Sequence, residues 1–138
     1  MATQTLLMIL IVLHVLPGVF WVGSTFVLAR SGGAGAESLT KSQLVSAGVV
    51  VITGIALWSQ THPVRAGFGL AEQVLALGAI SALTALAVQS VFVLPSLRSL
   101  ATPDGVAPGP RLRIAIAERI AAALLAITVT CMVVARYV

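Results

Sequence analysis

The chain has 138 residues, of which 59% are hydrophobic and only 9% are charged, and it carries a formal charge of +4. A water-soluble domain carries roughly 25% charged residues, so this composition excludes an ordinary soluble fold and predicts an integral membrane protein. The basic residues are scattered rather than clustered, which excludes a nucleic-acid-binding patch, and the single Cys131 excludes both an internal disulfide and a CxxC metal site.

Four apolar runs follow in chain order. The first spans about residues 5–30 and exceeds the roughly 20 residues needed to cross the hydrocarbon layer. It opens without the basic residues of a secretory signal, and this start predicts a retained span. The second covers about 42–60, with Ser42, Gln43, Ser59 and Gln60 expected in the headgroup zone. The third covers about 69–96, with Glu72 placed to favour the positive helix N-terminus. The fourth covers about 112–137. Glu118 lies within reach of Arg113 along this helix, and the pair is expected as an ion pair at its basic end.

The connecting segments are rich in Gly, Pro and Ser and read as loops. Helices satisfy their own backbone groups in lipid, and short loops make successive helices antiparallel. The expected fold is therefore all-α: one domain, an antiparallel bundle of four transmembrane helices. Arg30, Lys41, Arg98, Arg111 and Arg113 flank one side, against Arg65 and Arg136 on the other. The positive-inside rule makes the first side cytoplasmic. Both termini and His62 are then expected on the outer side, with His62 read as a solvated loop residue. The expected location is a membrane crossed several times, with this basic side toward the cytoplasm.

Small and weakly polar residues predict the helix contacts. Ser46, Thr53 and Gln60 recur every seven residues, and Gly48, Gly54 and Gly78 offer close backbone approach.

The candidate site begins with His14, buried in the first apolar run near the membrane middle. Gly18, Trp21 and Thr25 follow at helical spacing and share its face. Pro17 frees a carbonyl beside it. An ionisable residue inside a membrane is a functional candidate by default. The residues leave four readings open for His14: a structural imidazole bonded to Thr53 or Thr130, a haem ligand, a copper ligand, or a proton relay. The copper reading adds Met8, Cys131 and Met132, which share the outer half of the bundle and are ligands of the soft type that copper(I) selects. No phosphate loop, nucleophile elbow or HExxH occurs, so catalytic residues stay unassigned.

The segments "VFWVGSTFVL" after His14, "VVITGIALW", "VFVLPSLRSL" and "IAIAERIAAALLAI" together resemble the copper-resistance-D-like superfamily of small bacterial membrane proteins. Its relatives include the membrane domain of bacterial urate oxidases and the four-helix protoporphyrinogen oxidase family. In the last of these, a first-helix histidine and a third-helix lysine are associated with haem b. The histidine carries over to His14, whereas Gln73 stands at the lysine position. The resemblance thus implies haem b at His14 as candidate axial ligand, with copper as an alternative. A second ligand would come from another copy of the chain or from a different subunit. A third reading is a non-catalytic accessory or assembly subunit of a larger membrane complex, without cofactor.

Overall fold

The computed structural model describes residues 2–61, 69–101 and 108–138. His62 lies outside the described residues. Four helices account for nearly all of them: α1 (Ala2–Arg30), α2 (Ala36–Thr61), α3 (Leu70–Leu100) and α4 (Pro108–Val134). All four contain a stretch long and apolar enough to cross a membrane, so the protein is a multi-pass four-helix bundle with both termini at the same end.

The helices run further than the apolar runs at the end that carries the α1–α2 turn. α2 begins at Ala36, and "ESLTKS" forms its first turns rather than a loop. The cause is the compact glycine turn that precedes it. Gly32 and Gly33 adopt φ of +67° and +82°, a region that costs glycine nothing. The Gly33 N–H then reaches the Leu28 carbonyl at 3.0 Å, which closes a Schellman-type end to α1. A Cβ on Gly33 would lie 3.1 Å from Ile114 and 3.2 Å from the Arg111 carbonyl, so the turn also packs against the start of α4. Across this end Arg111 pairs with Glu37 at 3.0 Å, with both side chains about half exposed; such pairs contribute at most about 1 kcal/mol.

α3 contains a π-helical segment, Gln89–Val93, just before Pro95. Proline has no N–H to offer the carbonyl four residues back, and its ring crowds that carbonyl. The wider turn absorbs this mismatch and lets the helix continue to Leu100. α1 also runs through Pro17 as continuous helix.

α1 packs along α2 and α4, and α3 packs along α4, whereas α2 and α3 barely touch. Small residues dominate the seams. Trp21 is surrounded by Ala47, Val50, Ala82, Ala85, Ala121 and Leu125. Nearer the turn, Leu28, Ala36, Val93, Ile114 and Ala117 form a second cluster. Alanine at these positions brings backbones close, which is how helices associate where lipid removes the hydrophobic drive. The large apolar side chains point outward: Leu16, Val19, Ile52 and Ile55 are among many that stay mostly exposed. In water such a belt would aggregate; in a bilayer it faces the acyl chains.

The expected glycine contacts divide. A Cβ on Gly78 would lie 3.0 Å from the Cys131 Cβ, and one on Gly54 would lie 3.1 Å from His14 Cε1. Gly48 does not serve this purpose, because a Cβ there would meet nothing within 4 Å. Of the seven-residue stripe, Thr53 is buried while Ser46 is half-buried and Gln60 exposed. The interior face of α2 runs from Ala36 through Thr40, Gln43, Ala47 and Val50 to Thr53, so Ser46 lies beside it and the stripe runs out before Gln60.

Candidate functional site

Two polar clusters stand out among the described residues, one half-buried and one fully buried. In the first, His14 projects from α1 toward α2, and its Nδ1 lies 3.1 Å from Thr53 Oγ1. The Thr53 hydroxyl hydrogen is already committed to the Val49 carbonyl at 2.7 Å. Thr53 therefore accepts from His14, Nδ1 carries the proton, and Nε2 keeps a free lone pair in the neutral ring. This tautomer follows from the hydrogen-bond network. Thr130 is not the partner: it is exposed, and its hydroxyl donates to its own helix at the Ala126 carbonyl. The glycine at position 54 lets the ring sit against α2. His14 itself is only half-buried.

The remaining members of the copper set point in different directions. Met8 and Met132 are 64% and 41% exposed. Cys131 is buried, but it lies against Gly78 in the α3–α4 seam, while His14 faces α2. No group of three or more His, Cys, Asp or Glu side chains that could hold a metal occurs among the described residues. Gln73 is exposed in the first turn of α3.

The second cluster draws one or more side chains from every helix: Trp21 and Thr25 from α1, Gln43 from α2, Gln89 from α3 and Glu118 from α4. Each is at most 1% exposed. Trp21 Nε1 donates to Gln89 Oε1 at 2.8 Å. Gln89 Nε2 donates to Thr25 Oγ1 at 3.0 Å and to Glu118 Oε2 at 2.9 Å. Gln43 Nε2 donates to the same two oxygens at 2.7 Å and 3.2 Å. Thr25 in turn donates to the Trp21 carbonyl at 2.8 Å. The cluster lies about 16 Å along α1 from His14, at 1.5 Å per residue over the eleven residues to Thr25.

This cluster overturns two expectations. Gln43 is inside the bundle, not in the headgroup zone. Glu118 does not pair with Arg113, which is exposed. Five residues along a helix turn the direction by about 140°, so a side chain aimed at the core and one five positions earlier cannot both face inward. The α1 face, by contrast, runs as expected, with Trp21 and Thr25 both buried below His14. Gln43 and Gln89 carried a signal in the sequence: a long amide side chain within an apolar span seeks a partner in the interior. The π segment that begins at Gln89 is a further mark of such sites.

A scan against protein-family models and searches of curated proteins and of solved structures each find no match to this chain.

Proposed function

We propose that this chain is a haem-binding, redox-associated protein of the bacterial cytoplasmic membrane, with His14 as axial ligand. One observation carries the reading: the bond from Nδ1 to Thr53 orients the imidazole and leaves Nε2 as a neutral donor. That arrangement, with the second ring nitrogen bonded to a protein acceptor, is what metal-ligating histidines use to hold their tautomer. The donor set fits one axial position of haem b, which when bound would supply one-electron transfer. Thr53 fixes the ring plane, and Gly54 leaves room for its edge. The resemblance to the copper-resistance-D-like superfamily supports the same residue. His14 is half-open at the bundle surface, so a second ligand would be contributed by another copy of the chain or by another subunit.

The purified wild-type protein should show a Soret band. His14→Ala should abolish it, and Thr53→Val should weaken haem affinity about 10- to 100-fold, the usual effect of removing such a supporting bond. A colourless wild type, prepared with haem supplied during expression, would overturn this reading. Metal analysis of the same sample separates the copper alternative. A protein free of both favours a non-catalytic accessory subunit. That second reading draws on α1, whose most apolar stretch is only 6% buried and offers a long face to a neighbouring helix.

The orientation belongs to the same proposal: both termini periplasmic and the α1–α2 turn cytoplasmic, from the basic-residue asymmetry. In a Cys131→Ala background, Ser38→Cys should react only with reagent on the cytoplasmic side and Ser59→Cys only from the periplasm. Both positions are exposed, at opposite ends of α2. The reverse labelling pattern would invert the topology.

A further inference from the structure

The hydrogen-bond inventory of the second cluster is complete except in one respect. An amide nitrogen has two hydrogens and an indole has one. Both hydrogens of Gln43 Nε2, both of Gln89 Nε2, the Trp21 N–H and the Thr25 hydroxyl are all engaged. No donor is left over. Two acceptors are: Gln43 Oε1 and Glu118 Oε1 are fully buried and have no partner among the described residues. They belong to the two side chains already joined by the bond from Gln43 Nε2 to Glu118 Oε2.

Among the described residues, no positive charge compensates a carboxylate here. The groups that meet Glu118 are the neutral amides of Gln43 and Gln89, and Trp21 and Thr25 complete the cluster from α1. The nearest basic residues in sequence, Arg113 and Arg119 on its own helix and Lys41 on α2, are exposed, and Arg119 Nε is directed at the Ala29 carbonyl. A buried, unpaired charge is among the costliest groups a membrane interior can contain. One added proton resolves both difficulties. Placed on Glu118 Oε1, it removes the charge and supplies the missing donor, and the missing acceptor is Gln43 Oε1. The acid and the amide would then be joined twice, by the N–H···O bond already present and by an O–H···O bond between the two oxygens that lack a partner. An alkali cation suits the site less well, because it needs more oxygens than the two that are free.

We infer that the Glu118–Gln43 pair is a proton-binding site in the interior of the bundle, occupied at neutral pH and one to two helical turns from the basic end. Glu118 holds the proton on Oε1 and Gln43 accepts its hydrogen bond, while Gln89, itself held by Trp21, fixes Glu118 and Thr25 fixes Gln43. The site stands on these residues alone and does not depend on haem at His14.

Infrared spectroscopy of the full chain in lipid nanodiscs at neutral pH tests this. The wild type should show the C=O stretch of one un-ionised carboxylic acid, shifted on exchange into deuterated water. Glu118→Gln should lose that band completely. Glu118→Asp, one methylene shorter, should keep an acid band at a displaced frequency, which guards against simple misfolding of the glutamine variant. Gln43→Leu should move the wild-type band to higher frequency, because the carbonyl loses a donor. Absence of the band in the wild type would overturn the inference and identify a carboxylate whose Oε1 is bridged by water or a cation. Persistence of the band in Glu118→Gln would overturn it as well, by assigning the acid to another residue. Loss of the band when sodium chloride is raised at constant pH, but not with an equal concentration of choline chloride, would replace the proton by a sodium ion.

Discussion

Trp21→Ala should destabilise the bundle by about 3–5 kcal/mol, the usual cost of removing a large aromatic side chain from a packed interior. Trp21 is 1% exposed and is the largest side chain of the main core cluster. Its neighbours are mostly alanines, which have no length with which to refill the space, so relaxation recovers little. The substitution also strands Gln89 Oε1, whose donor is the indole N–H. Trp21→Phe separates the two effects. It keeps much of the volume and removes only the donor, and it should cost about 1–3 kcal/mol for the unpaired oxygen. Reversible unfolding in detergent micelles measures both. A phenylalanine variant as stable as wild type would mean that the indole bond contributes nothing and that Trp21 acts by volume alone.

Gln89→Leu should have the second largest effect. Leucine fills the space, so the loss is polar rather than steric. It removes the acceptor of the Trp21 N–H and one donor each from Thr25 and Glu118. Hydrogen bonds between membrane helices average about 0.6 kcal/mol, because the separated helices find other partners; three of them give about 2 kcal/mol. Stranding a group where no water reaches costs about 1–3 kcal/mol; this takes the place of one of the three bond terms, so the expected total is about 2–4 kcal/mol. The two sites are coupled through a single bond. The cost of Trp21→Phe combined with Gln89→Leu should therefore be smaller than the sum of the single costs, as contacting residues generally show. Strict additivity would mean that the network is not cooperative and that each helix holds its polar group independently.

Only some parts of the molecule can be read from residue order. The four spans were legible, because a backbone in lipid must satisfy itself and long apolar runs have no alternative to the helix. The inward face of α1 was legible as well: His14, Trp21 and Thr25 fall at one helical spacing, and the two buried members of that face, Trp21 and Thr25, sit where the spacing puts them. The α1–α2 turn was only half legible. Its glycines marked a break, but the charged residues of "ESLTKS" concealed the start of α2, since polarity at the membrane edge looks alike in a loop and in a helix that extends past the lipid.

The partner of His14 and the whole second cluster were decided by tertiary structure. Thr53 and Thr130 are equivalent as residues, and only the packing of α1 on α2 selects the first. Glu118 sits among arginines in the sequence, and only the rotation of α4 turns it away from them and toward Gln43 and Gln89. The physical reason is common to both. Helices that are apolar on every side carry no strong stripe to declare which face turns inward, so their rotation is set by close packing at small residues and by hydrogen bonds that form only between helices. Composition and run length alone determined that this chain crosses a membrane four times; which polar groups meet inside it depended on how the helices turn against one another.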